Sequence, residues 1–297
     1  MISEMIDVVL KQFDLSSKSR SFWLGMVIII MLIVALAAIF YLYVPVGVDW
    51  EYTFTDAARK WRDPYQNSLF TNPPWALIFL PHAFLPLKLG NAINLLLNFA
   101  VLLFVIRKFG GGTSAIMMVF TSPFILDLAR TNNIDWIPAL SLVVPPMFGV
   151  FLLSVKPQTL GFVALVWWRE QGFTPRILVP TLAIAGLSFL VYGFWVSRLA
   201  GLPADAGLWN IAPFPLGIPL GLYLLYLAYR AKEHDDSLIF AALATVFITP
   251  YIAPYSLNTI MAMGASRYRR EAFIAWVASW VYVIYTLRRN TIMFGGA

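Results

Sequence analysis

The feature that most restricts this chain is a series of apolar runs too long and too free of charge for a soluble core. The first, Phe22–Val44, contains no charged side chain, and about 20 such residues suffice for a helix to cross a bilayer. Similar runs recur to the C-terminal end. Of 297 residues, 60% are hydrophobic and only 12% charged, whereas a soluble domain carries about 25% charged residues. Lipid satisfies no backbone hydrogen bond, so spanning segments are helices or closed barrels. The runs here are continuous rather than alternating, which selects helices. The expected fold class is an all-α integral membrane protein, a polytopic bundle of about nine or ten transmembrane helices.

After the first run, spans are expected near 73–88, 89–106, 113–129, 134–155, 157–169, 176–199, 213–230, 237–264 and 271–288. Pro250 and Pro254 mark the 237–264 run as a broken helix. Residues 1–21 place Met5, Ile6, Val9 and Phe13 at helical spacing among charged neighbours, which reads as an amphipathic interfacial or partner-docking segment. Lys11, Lys18 and Arg20 precede the first span, and positive charge favours the cytoplasmic side. The expected organisation is therefore a cytoplasmic N-terminal segment, 1–21, and one multi-pass cell-membrane domain, 22–297, whose first loop, 45–73, is extracytoplasmic. Strict alternation leaves Arg107, Lys108 and Arg267–Arg270 on the disfavoured outer side; a re-entrant 73–88 removes the first conflict and reverses the later sides.

The net charge of +6 comes from cations set singly at helix ends. That pattern fits topology and lipid headgroups rather than nucleic acid. Cysteine is absent, and the two histidines, His82 and His234, are far apart, so neither thiolate nor histidine metal chemistry is expected. No phosphate-binding loop, dinucleotide fingerprint, HExxH or nucleophile elbow is present. No metal or cofactor is expected.

Polar chemistry concentrates in the first loop, where Asp49, Glu51, Asp56 and Asp63 accompany Arg59, Lys60 and Arg62. A carboxylate at a membrane boundary, such as Asp49, is partly desolvated and so suited to act as a general base. The plain alternative is a solvated acid paired with Arg59 or Arg62. Asp63-Pro64-Tyr65 and Asn72-Pro73-Pro74 have turn and cap chemistry. Lys156, in Lys156-Pro157-Gln158, lies between apolar stretches, where an ammonium faces a protein cavity or snorkels to the interface; in a cavity it suits a lipid phosphate. Arg130 to Asp135 form a polar cluster between two apolar runs, either a loop or a cavity wall. Tyr255 sits in the proline-broken run, and such breaks line cavities.

The order of these features resembles the GT-C superfamily of membrane glycosyltransferases, closest to polyprenol-phosphate-mannose-dependent mannosyltransferases. The resemblance rests on a first span ending before Asp49, on Asp63-Pro64-Tyr65, and on Asn72-Pro73-Pro74-Trp75 leading into Pro81 and Pro86. It is carried further by Asn132-Asn133, Lys156-Pro157-Gln158 and Tyr251 to Tyr255. It covers roughly residues 22–260 and implies an inverting hexosyltransferase. Asp49 would be the base, Lys156, Gln158 and Arg130 would hold the donor phosphate, and Asp63, Tyr65, Asn132, Asn133 and Tyr255 would line the acceptor cavity. The implied donor is a polyprenyl-phosphate sugar and the acceptor is extracytoplasmic; membrane lipids are the other expected partners. Arg130-Thr131 stands where the family has Gly-Gln. That substitution suits a competing reading, a non-catalytic structural subunit of a larger membrane complex. A transporter built on broken helices is a third reading, without an inverted repeat to carry it.

Overall fold

A computed structural model describes residues 20–200 and 210–294. The amphipathic segment expected over 1–21 lies almost wholly outside these residues, as does most of the 200–212 loop. All regular structure among the described residues is helical, without strands. The chain divides into two compact units, Met1–Val44 and Pro45–Ala297. The division follows helix chemistry: Pro45 has no amide proton with which to continue the ladder of the preceding helix.

In the first unit, α1 runs from Arg20 to Tyr43. Met31, Leu32, Ile33 and Val34 are consecutive and all exposed, so the helix has no polar face in this turn. The second unit begins with a π-helical turn, Trp50–Thr55, continued by α2, Asp56–Arg59. Residues 73–88, expected as a span, form two short 3-10 helices, Pro74–Phe79 and Pro81–Phe84. Pro74, Pro81 and Pro86 each interrupt the amide ladder there, and neither piece is long enough to cross ~30 Å.

There follow α3 (Leu87–Lys108), α4 (Thr113–Phe120), α5 (Pro123–Thr131), α6 (Trp136–Leu140), α7 (Pro146–Leu153), α8 (Pro157–Leu160) and α9 (Val163–Glu170). Then come α10 (Val179–Tyr192), α11 (Ile218–Arg230), α12 (His234–Ile248), α13 (Leu257–Arg267) and α14 (Arg269–Phe294). Most of the expected spans are thus broken into pieces, several at a proline that opens the next helix. Among the described residues, two runs are long and apolar enough to cross a membrane, Leu87–Lys108 and Pro175–Tyr192; α1 contributes a shorter apolar run, Ile30–Tyr43.

Helix α3 is the centre of the second unit, packed against α6 and α13. Val101, Leu102, Val105 and Ile106 of α3 share a core with Met261, Ala262 and Ala265 of α13, where the two alanines admit close approach. The α11–α12 hairpin packs through α12 onto α8 and α9.

A second face of α3 is polar. Asn91, Asn94 and Asn98 recur at helical spacing and are all buried. They grip the turn between α5 and α6. Asn132 takes the left-handed conformation there, φ 51° and ψ 51°, which asparagine tolerates better than most residues. Asn94 Nδ2 donates to Asn132 O and Oδ1, both at 2.9 Å, and Asn98 Nδ2 donates to Asn133 O at 2.8 Å. In return Asn132 Nδ2 donates to Asn91 Oδ1 at 2.7 Å, and Trp136 Nε1 to Asn94 Oδ1 at 2.9 Å. Asn94→Leu strands several buried groups at once and is expected to destabilise the fold by roughly 3 kcal/mol or more. A drop in the thermal unfolding midpoint of the purified protein checks this; an unchanged midpoint refutes it.

Candidate functional site

Four polar side chains converge on one cavity, three of them from breaks between helices and Asp49 from the helical turn that leads into the π-helix. Asp49 precedes the π-helical turn. Asn133 follows the left-handed Asn132 in the α5–α6 turn. Lys156 stands between α7 and α8 with φ −150° and ψ 71°, outside the α region that the following proline disfavours. Tyr255 lies in the 3-10 turn Pro254–Ser256 between α12 and α13. The breaks at Asn133, Lys156 and Tyr255 let side chains separated by more than a hundred positions in sequence meet.

The Asp49 segment is fixed from both sides. Gly47 N donates to Asn91 Oδ1 at 2.9 Å. A Cβ at Gly47 would lie 2.3 Å from Asn132 Cβ and 2.6 Å from Thr131 O, so only glycine lets the segment approach the turn this closely. On the other side, the fully buried Trp50 stacks on His82 with ring centres 4.9 Å apart and planes 7° from parallel. Gly90 on α3 leaves room for this pair, since a Cβ there would come within 2.9 Å of the indole.

Asn133 joins the two charged groups. Its Nδ2 donates to Asp49 Oδ2 at 2.6 Å and to the Tyr255 hydroxyl at 2.9 Å. Its Oδ1 accepts from Lys156 Nζ at 2.9 Å and from Ile134 N at 2.8 Å. Lys156 Nζ also donates to Asp135 Oδ2 at 2.6 Å, and both side chains of that ion pair are buried. The ammonium lies 4.6 Å from the centre of the Tyr255 ring, within cation–π range. Burial pushes the Asp49 carboxyl above the usual carboxylate range. The Asn133 hydrogen bond, the Lys156 charge and a Tyr255 hydrogen bond pull it back in part, while the Asp135 charge adds to the rise.

The cavity has a volume of about 790 Å³. Asp49, Arg130, Asn133, Lys156, Gln158 and Tyr255, six of the residues singled out in the sequence, line it. Phe54, Phe162, Leu165 and Leu199 give it an apolar portion. Three others lie elsewhere. Asp63 pairs with Arg198 at 2.9 Å on the surface. Tyr65 donates to Asn72 O at 3.0 Å and stacks on Trp195. Asn132 is fully buried in the α3 clamp. The motif containing Asp63 and Tyr65 thus braces the loop, and Asn132 shapes the turn that presents Asn133. Arg130, in the wall, pairs with Asp127 at 2.7 Å.

Sequence reasoning did not give Lys156 its partner Asp135, nor Trp50 its stack on His82. It also passed over the α3 asparagines, whose helical spacing within an apolar run was a readable signal. Among the described residues, no group of three or more His, Cys, Asp or Glu side chains is placed to hold a metal ion. No protein-family model matches the chain, and neither a curated protein nor a solved structure resembles it closely enough to lend it a family.

Because the folded state raises the Asp49 pKa above its ordinary value of 3.8, the fold favours the protonated acid. The associated stability is full below the unfolded value and is lost as pH climbs through the higher folded value. Wild-type protein is therefore expected to lose stability as pH rises from the ordinary carboxylate range through that value, and Asp49→Asn to lack this loss. Thermal unfolding of both proteins over a pH series checks it; parallel curves refute it.

Proposed function

We propose that this chain is a polytopic membrane glycosyltransferase of GT-C type. It transfers a sugar from a polyprenyl-phosphate donor to an extracytoplasmic acceptor, with Asp49 as general base. One observation carries the reading: a partly apolar cavity holds a raised-pKa carboxylate and a buried ammonium joined through a single amide. A desolvated carboxylate suits proton abstraction near neutral pH, and an ammonium suits a developing phosphate charge. The apolar lining suits the first isoprene units of a lipid chain. Several broken helices, rather than long regular spans, would frame the site in the membrane, since irregular backbone at membrane depth is tolerated where it lines a cavity.

In this reaction the acceptor hydroxyl gives its proton to Asp49 while its oxygen bonds to the anomeric carbon. The bond from that carbon to the phosphate oxygen breaks, and the electron pair leaves with polyprenyl phosphate. Attack from the opposite face inverts the anomeric centre. Lys156 neutralises the departing charge, with Gln158 and Arg130 on the same wall.

A second reading, a non-catalytic subunit of a larger membrane complex, draws on the ion pair between Lys156 and Asp135. An ammonium already matched by a carboxylate is suited to hold a fold together as well as to bind a phosphate. Activity separates the two. General-base help is worth ~10²–10⁴-fold, so Asp49→Asn is expected to reduce sugar transfer by about that factor while elution profile and helical circular dichroism stay unchanged. Near-normal transfer by the folded variant removes Asp49 from the role. Absence of transfer by the wild type, combined with co-purification in a stable complex, favours the subunit.

A further inference from the structure

The Lys156 ammonium does not meet the cavity as a bare positive charge. It is held 2.6 Å from Asp135 Oδ2, and both side chains are only 6% exposed. The other carboxylate oxygen, Asp135 Oδ1, is buried without a hydrogen-bond partner among the described residues, and Lys156 is the charge paired with Asp135. In the wall itself, Asp49 and Asp127 stand with Arg130 and Lys156. With Asp135 paired to Lys156, three formal negative charges meet two positive ones among the described residues.

A pocket built for a doubly charged phosphate would present surplus positive charge. This one has none. A phosphodiester carries one negative charge. A phosphomonoester carries close to two above its second pKa, about 6. The extra charge meets three carboxylates in a partly buried site, where interactions between charges are strong.

We infer that Asp135 makes this cavity select singly charged phosphodiester headgroups over doubly charged phosphomonoesters. The inference rests on the lipid-phosphate reading above and adds the charge state the site accepts. A polyprenyl-phosphate sugar is a phosphodiester, and the polyprenyl phosphate left after transfer is a monoester. During transfer the phosphate gains one negative charge as Asp49 loses one by protonation, so the charge within the cavity stays constant. It rises when Asp49 returns its proton to water. Repulsion from Asp49, Asp127 and Asp135 then drives the spent lipid phosphate out, which clears the site for the next donor. In this scheme Asp135 positions and balances Lys156 and does not touch the reacting atoms.

Among the described residues, the ionisable groups around a bound phosphate are Asp49 and Tyr52 from the first loop, Asp127 and Arg130 from α5, Asp135 from the α5–α6 turn, Lys156, and Tyr251 and Tyr255 from the α12–α13 break. A site group that changes charge acts more strongly on the doubly charged ligand than on the singly charged one, so wild type and Asp135→Asn are compared at one pH, with the other groups in the same state.

The test is a competition between farnesyl phosphate and its methyl diester for detergent-solubilised full-length protein, read by native mass spectrometry as the ratio of the two bound forms. The diester is expected to prevail by on the order of tenfold at about pH 8, and the ratio to approach one at about pH 5, where the monoester carries a single charge. Asp135→Asn is expected to bring the ratio toward one at the higher pH. If that variant fails to fold, the two wild-type ratios decide alone. Binding of both lipids with a ratio near one at the higher pH overturns the charge selection and leaves lipid-phosphate binding standing. An unchanged ratio in folded Asp135→Asn overturns the role of Asp135. Binding of neither lipid overturns the inference together with the reading it rests on.

Discussion

One left-handed residue, Asn132, and the three α3 asparagines that hold it decide where Asp49, Asn133 and Asp135 sit. Without the clamp, the chain leaving α5 would have no reason to turn inward at Thr131, and Asn133 would not reach Asp49. The left-handed conformation is disfavoured for a residue with a Cβ by roughly 1–2 kcal/mol, so it persists because several hydrogen bonds fix it together. The same clamp receives Gly47 from the first loop. One polar contact region therefore sets the positions of Asp49, Asn133 and Asp135 at once.

The arrangement shows how buried polarity is kept satisfied in a mostly apolar chain. Each carboxamide in the clamp is used as both donor and acceptor, and Asn133 uses both of its ends to tie a carboxylate to an ammonium. Amides suit this duty because they link opposite charges without adding one. A charged residue at 133 would upset the balance among Asp49, Lys156 and Asp135.

Much of the site was legible from sequence. Lys156 and the polar 130–135 cluster stood out because charge and carboxamide are costly among apolar neighbours, and both reach the cavity. Asp49 stood out by position, at the end of the first apolar run, and it too is there. Asp63 and Tyr65 were misplaced because a turn motif looks the same whether it lines a cavity or braces a loop; Arg198 and Trp195, their partners, are more than a hundred positions away. Helix continuity was the other weak point. Apolar composition over 73–88 signals burial or lipid equally well, while Pro74, Pro81 and Pro86 decide the local backbone. The all-helical class followed from composition, but the lengths of the pieces depended on where each proline fell.

The polar stripe on α3 bears on how the protein is made. In the proposed bilayer setting, a helix carrying three carboxamides on one face has the full set of partners for them only once residues 131–136 have been synthesised, although Asn91 meets Gly47 and Asn94 meets His82 earlier. Its insertion is thus unfinished when α3 first leaves the translation machinery. It would wait at the lipid boundary, or beside an insertion factor, until the following polar turn arrives. Biogenesis of this half of the molecule then becomes a single joint event, with α3 and the α5–α6 turn entering as a pair.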